Sequence, residues 1–294
     1  MSPPVVEERV ARRGRRRDPW GPTGWIFLVV LTIFATLPML WMLVTSLKSQ
    51  FAALQYPPEW VPSEPTVEQY TRLLSPENEV GQEFLYYLIN SIWVSTATTV
   101  LGVIIAVPAA YAFSRFRFPG RQLLFYAVLV RNMFPAVVFL MPLFIMMRWL
   151  GLVNSQWSLI LTYLTFGLPL SIWLLKGFYD NIPVQLEQAA RIDGATRFQA
   201  FLLIVMPLSA PGIVATAIYS FILAWNEYVY ALTFLNDQDK LTLPVGLQRF
   251  FTEYTTNWPG LMAASFIMSV PVVVLFLVLQ KYFVRALTEG AVKS

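Results

Sequence analysis

The sequence predicts an all-α integral membrane protein of six transmembrane helices. Three observations carry this. Six stretches each reach the roughly 20 mostly apolar residues that a helix needs to cross a bilayer. Only 13% of the 294 residues are charged and 56% are hydrophobic, against about 25% charged in a soluble domain. Lysine and arginine also gather at alternate ends of the apolar stretches, as they do when one side of a membrane is cytoplasmic.

The six spans, in order, are about Trp25–Ser46, Tyr87–Phe113, Leu123–Met147, Trp157–Phe178, Leu208–Leu232 and Leu261–Val284. Pro38, Pro108, Pro135, Pro142, Pro169, Pro211 and Pro271 fall within them. Proline is tolerated in lipid where neighbours satisfy the freed carbonyls, so the prolines predict a bundle with kinks and gaps. The first span is read as retained rather than as a cleaved leader, because it is long and lacks a small-residue cleavage site. Residues 1–22 form a basic, polar tail, 23–284 the membrane domain and 285–294 a second short tail.

Orientation follows from Lys and Arg. Fifteen of the 21 lie in segments that share a side with the N-terminus, among them Arg115, Arg117, Arg121, Lys176, Arg191 and Arg197. Only Lys48, Arg72, Arg148, Lys240 and Arg249 lie opposite, and Arg131 alone lies inside a span. The split places both termini in the cytoplasm of a bacterial or archaeal cell membrane. Two outer segments are long: acidic, proline-rich 47–86 and aromatic, polar 233–260. Loops of this length are often functional, and a plain linker is the alternative for the first.

Composition excludes several classes. The chain has no Cys and no His, which removes disulfides, thiolate chemistry, imidazole bases and the usual zinc sites. The sequence pI near 9.3 does not point to nucleic acid, because the basic residues sit at membrane edges and not on one surface. No GxxxxGK[ST] phosphate loop is present, so no cofactor is expected on this chain. A secondary carrier would usually show paired intramembrane acids or His and an internal repeat, and a membrane enzyme would need catalytic groups. The spans show none of these.

The informative segment is cytoplasmic, Pro183 to Phe201. It reads as two short helices joined by a turn, at about 183–200. Pro183 suits a first helical turn, where its missing N–H costs nothing. Leu186, Ala189, Ala190 and Asp193 share one face by helical spacing. Gly194 stands where a helix ends in the left-handed conformation. Thr196 and Gln199 make a capping box for the next helix, and Ile204 and Pro207 lead it into the membrane. The small face of Ala189 and Ala190 admits close approach of another backbone. A surface-lying amphipathic loop would show the same spacing.

The spacing Ala189-Ala190, Gly194, Ile204, Pro207 resembles the EAA signature of ABC-importer permeases. Ala190-Arg-Ile-Asp193-Gly194-Ala195-Thr196 resembles its carbohydrate branch, and Trp225-Asn226-Glu227 and the tail from Lys281 resemble MalG-type subunits. The likeness is traceable from Trp25 to Ser294. Three positions depart: the signature Glu is Gln188 beside Glu187, its Leu before Pro is Met206, and a tail Gly is Ala286. In the family that Glu supports docking to the ATPase, so Gln188 places one charged contact in question. Glu187 is the candidate substitute, although it points about 100° around the helix.

The resemblance implies a type I ABC importer permease fold with cytoplasmic coupling helices. It implies a second, MalF-like permease, a cytoplasmic ATPase dimer that uses ATP and Mg, and an extracytoplasmic sugar-binding protein. Glu187, Gln188, Ala189, Ala190, Asp193, Gly194, Ala195, Ile204 and Pro207 would then couple to the ATPase. The C-terminal tail would touch the ATPases. Gln248, Phe250, Tyr254 and Trp258 would form an external loop that probes the binding protein. The sugar class leads with maltose, maltodextrin or trehalose-type oligosaccharides; glycerol phosphate is an alternative.

The remaining candidates line a translocation path: Arg131, Asn132, Trp225, Asn226, Glu227 and Tyr228. A charge at the depth of Arg131 costs about 3 kcal/mol or more, so it must face protein or water. It lines the path, pairs with an acid of the partner permease, or bonds carbonyls freed by Pro135. Asn90, Ser91, Ser95, Thr98, Thr99 and Gly102 read as helix packing first. Aromatic Trp225, Tyr228 and Tyr230 suit sugar stacking or a membrane interface. Tyr111 and Tyr163 read as plain packing residues.

Overall fold

The computed structural model describes residues 21–251 and 256–291, with side chains given to residue 280 except that of Arg249. The element order is α1 Gly21–Ser46, α2 Gln50–Leu54, α3 Glu68–Leu74, α4 Glu79–Arg115, α5 Arg121–Val130, α6 Leu140–Trp149, α7 Gln156–Asp180 and α8 Val184–Ile192. There follow α9 Arg197–Ala200, α10 Met206–Leu208, α11 Ala210–Trp225, α12 Val229–Phe234, α13 Leu243–Gly246 and α14 Trp258–Ala291. No strand occurs among the described residues beyond one isolated bridge, Phe251 to Thr256.

Four helices are each long and apolar enough to cross a membrane: α1, α4, α7 and α14. Two further helix pairs are apolar enough only when taken together, and each is bent. Arg121–Met133 and Ala136–Trp149 meet at 102°, and Arg197–Leu208 and Ala210–Trp225 meet at 73°. The third and fifth predicted spans are therefore not single helices. The third breaks at Phe134-Pro135, between the 3₁₀ turns Arg131–Met133 and Ala136–Phe139. The fifth bends at Ser209 and ends at Trp225, seven residues short of the predicted Leu232. Pro38, Pro108, Pro169 and Pro271 stay inside unbroken helices.

The centre is α4, packed on α7 and α11, with α1 laid against α14. Where the three central helices cross, a side chain at Gly102 would meet Leu164 Cδ2 at 3.5 Å and Ser220 Oγ at 3.7 Å. Small residues at a crossing let helix backbones close up in lipid, where packing replaces hydrophobic drive. One apolar cluster fills the middle around Tyr163, Phe166 and Phe234. A second fills one end around Phe113, Tyr179 and Phe201, and a third the other end around Tyr87, Phe221 and Trp225.

The segment 47–86 is folded, not a bare linker. It carries α2 and α3, buries Leu73, and ties Ser46 Oγ to Tyr70 Oη at 2.6 Å. Lys48 is buried too, its ammonium donating to the Glu59 carbonyl and lying over the Trp41 ring. Helix α4 starts at Asn78, whose side chain accepts the Gly81 N–H at 2.8 Å, so it begins eight residues before the predicted Tyr87. The last helix runs to Ala291, past the predicted end at Val284.

Candidate functional site

The segment from Pro183 to Phe201 folds as an elbow. Helix α8 follows Pro183 and ends in a Schellman turn. The Gly194 N–H donates to the Arg191 carbonyl at 3.2 Å and the Ala195 N–H to the Ala190 carbonyl at 2.9 Å. Gly194 has φ +94°, a conformation that costs an L-residue 1–2 kcal/mol. The capping box then starts α9: Thr196 Oγ1 accepts the Gln199 N–H at 3.2 Å, and Gln199 Oε1 accepts the Thr196 N–H at 2.8 Å. A π-helical turn, Phe201–Val205, contains Ile204 and leads to Pro207. A proline ring clashes with the carbonyl four residues back in an α-helix, and the wider turn relieves that clash.

Two faces of the elbow differ sharply. Leu186, Gln188, Ala189, Asp193 and Gly194 are exposed, Ala190 and Ala195 partly so. Ile192 is 86% exposed and Phe198 67%, and these two apolar side chains flank the turn. Glu187 is the exception, buried at 7%. Its Oε1 accepts from Arg115 Nε at 2.6 Å and its Oε2 from Tyr111 Oη at 2.7 Å. Glu187 therefore does not stand in for the signature Glu at an outer docking surface. It turns inward because its face of α8 meets the end of α4.

A second cluster surrounds the break in the third span. Arg131 Cζ lies over the Phe166 ring, 3.4 Å from its centroid, and 5.3 Å from that of Phe139. Cation–π seating stabilises a charge without neutralising it. Arg131 Nη1 donates to Asn132 Oδ1 at 3.0 Å, while buried Nε and Nη2 have no hydrogen-bond partner among the described residues. The reading of Arg131 as a bond to carbonyls freed by Pro135 is thus overturned. The Ala136 carbonyl beside the break takes the Tyr230 hydroxyl instead, at 2.6 Å.

Glu227 and Trp225 also serve the interior. Tyr163 Oη donates to Glu227 Oε2 at 2.7 Å, and the Tyr230 and Ala231 N–H groups donate to the same carboxylate at 2.9 and 3.1 Å. A carboxylate at that place satisfies the orphan donors that open α12. Trp225 is 1% exposed, stacked on Phe221, with Nε1 donating to the Met268 carbonyl at 3.2 Å. It is a core residue, closed to sugar stacking. Asn132 and Asn226 are exposed and Tyr228 half-buried.

On the opposite side from the elbow, the Gln248 amide donates to Tyr228 Oη, which joins the two outer candidate sets. Phe250 is half-buried, and Trp258 meets Phe251 edge-on at 6.5 Å; Tyr254 lies outside the described residues. The loop is held from α4: the Asn90 amide donates to the Asp239 and Leu241 carbonyls at 2.7 and 2.9 Å, and Ser91 Oγ accepts the Leu243 N–H at 2.7 Å. Donation from Lys240, and then from the Asn154 amide, holds the Asp237 carboxyl below its ordinary value. Among the described residues no cluster of three acids could hold a metal ion.

Comparison with known proteins supplies the family. Residues 98–289, which include the elbow and both clusters, match the model for the binding-protein-dependent transport system inner membrane component. The chain belongs to that family. It is 38% identical to the trehalose transport system permease protein SugB of Mycobacterium tuberculosis, over 92% of this chain and 98% of that one. It is 38% identical to the trehalose/maltose transport system permease protein MalG of Thermococcus litoralis, over 92% and 95%. A crystal structure of a bacterial ABC transporter that imports the acidic polysaccharide alginate overlays with TM-score 0.75 at 25% identity, covering 88% of this chain and 94% of that one. The chain is thus a multi-pass permease subunit of a carbohydrate ABC importer, a membrane component and not an enzyme.

Sequence reasoning missed Arg115, Tyr111 and Tyr163 as site residues. The two tyrosines read as packing, half-buried Tyr111 and buried Tyr163, are each the donor to a buried or half-buried carboxylate. The available signal was depth: each stands on a span near an acid that needed a partner.

Proposed function

We propose that this permease forms a translocation path with a second, MalF-like permease and is driven by a cytoplasmic ATPase dimer that grips the elbow. An extracytoplasmic binding protein delivers the solute to the loop around Gln248, Phe250 and Trp258. The solute is an oligosaccharide of the maltose, maltodextrin or trehalose type, supported by the trehalose and trehalose/maltose permeases that are 38% identical to the chain. Both termini are cytoplasmic, which the Lys and Arg distribution supports. Arg131, with Asn132, Asn226 and Tyr228, contributes to the path.

The observation that carries the coupling role is the elbow's geometry. Gly194, at φ +94°, fixes two short helices at an angle, while Ala189, Gln188 and Asp193 stay outward. Small side chains on an outward face admit another backbone, and a rigid turn passes on a push rather than absorbing it. Gln188 in place of a carboxylate leaves docking to shape and hydrogen bonding.

The test is reconstitution. The chain is purified with its co-expressed second permease, ATPase and binding protein, and ATPase activity is measured with maltose, maltotriose and trehalose. Stimulation by one of these, only with binding protein present, is the expected result. Solute movement with no ATPase subunit present would overturn the proposal.

A further inference from the structure

We propose that Arg115 is a positioning residue of the coupling step, locking the elbow to the end of α4 through Glu187 and Tyr111. This rests on the permease reading above. The lock delivers displacement of α8 to α4, the helix at the centre of the bundle.

The geometry gives Arg115 three partners on three elements. Nε donates to Glu187 Oε1 on α8 at 2.6 Å, Nη2 to the Ile182 carbonyl in the linker after α7 at 2.8 Å, and Nη1 to Ser114 Oγ on α4 at 3.3 Å. Ser114 Oγ donates in turn to Asp180 Oδ1 at the end of α7, at 2.6 Å, and Lys176 holds the other Asp180 oxygen at 2.5 Å. Both Glu187 oxygens are taken, the second by Tyr111. The Tyr111 ring packs against Phe201 at 4.5 Å and Tyr179 at 6.0 Å, so the exit of the elbow is gripped as well.

The chemistry suits transmission better than simple adhesion. The linker between α7 and α8 is only residues 181–183, and a short linker alone would hinge. The planar guanidinium fork sets direction as well as distance, and charge-assisted bonds are short and strong. Both side chains are only 9% exposed, so solvent does not soften the contact. Leaving either charge without its partner there is strongly destabilising, whereas an apolar patch could slide. The outer face of α8 is free for a motor and its inner face is bolted to a span.

Two readouts test this in the full complex in proteoliposomes. The first is solute taken up per ATP hydrolysed. The second uses the absence of cysteine: spin labels at Ile105→Cys on α4 and Gln185→Cys on α8, both exposed positions, report the distance between the helices. Wild type is expected to hold one narrow distance across nucleotide states. Glu187→Gln and Arg115→Gln should broaden it and lower uptake per ATP by at least about tenfold, the loss of an uncompensated buried charge. The exchange Arg115→Glu with Glu187→Arg should narrow the distance again and recover part of the ratio, which loss of fold would not do.

Where a charge variant fails to assemble, Tyr111→Phe, which spares the ion pair, decides: a reduced ratio supports the lock and an unchanged one overturns it. Unchanged uptake per ATP in assembled Glu187→Gln also overturns it. A wild-type complex without ATP-driven uptake overturns the permease reading, and the coupling role with it. The label distance separates that outcome from failure of the lock itself.

Discussion

Replacing Gly194 by valine isolates the backbone of the elbow from everything around it. A Cβ added there meets nothing within 4 Å, so no clash with a neighbour contributes. The penalty is the left-handed conformation at φ +94°, roughly 1–2 kcal/mol for an L-residue and at the upper end for a β-branched one. At about 2 kcal/mol the native turn is disfavoured roughly 30-fold against straighter alternatives. Those alternatives lose the two carbonyl bonds of the Schellman turn and swing α9 away from α8. The expected result is an assembled complex whose ATPase activity runs without matching uptake. Asparagine, which tolerates this conformation, should be mildest, alanine intermediate and valine worst. Measurement is radiolabelled solute uptake beside phosphate release in proteoliposomes. Full uptake per ATP in Gly194→Val, or a flat response across the three substitutions, would refute the reasoning.

Further outcomes follow from the other contacts. Arg131→Ala should leave assembly intact and lower uptake severalfold; normal assembly with full transport would remove Arg131 from the path. Tyr163→Phe withdraws one donor from the Glu227 carboxylate and should cost about 1.5–3 kcal/mol of stability, read as a lower melting temperature in detergent. Gly246→Ala places a Cβ 2.2 Å from the ring of buried Tyr87, an overpacking that should cost about 1–3 kcal/mol by the same assay. Asp237 has a lowered folded value, so its pairing helps the outer loop above the ordinary carboxylate range and is lost only as pH falls through that lowered value. Asn154→Ala should therefore raise carbodiimide labelling of Asp237 at mildly acid pH, quantified by mass spectrometry.

What the sequence made legible was local. Gly194, Thr196 and Gln199 act within a few residues of themselves, and their turn and cap chemistry reads directly from spacing. The apolar, all-helical character and the exposed small face of the elbow are legible for the same reason. Periodicity places Glu187 on a face of α8 but does not say which face meets the bundle, because its partner Arg115 is 72 residues away. Prolines illustrate the same limit. Pro135 sits at a 102° break and Pro108 inside an unbroken helix, and only neighbours decide which carbonyls find other donors. The Tyr230 hydroxyl that takes the Ala136 carbonyl lies 94 residues from it. Trp225 was read by residue type as a sugar platform or an interface aromatic, and burial against Phe221 and Met268 assigns it to the core.

Helix α4 has 37 residues without a break, about 55 Å at 1.5 Å per residue, nearly twice the thickness of the hydrocarbon layer. Its early turns hold the outer loop at Asn90 and Ser91, and its last residue holds the elbow. One unbroken helix thus holds the loop at one end of the bundle and the elbow at the other. Thermodynamic reciprocity then applies: whatever factor a ligand at one end imposes on binding at the other, binding there must impose on the ligand in return.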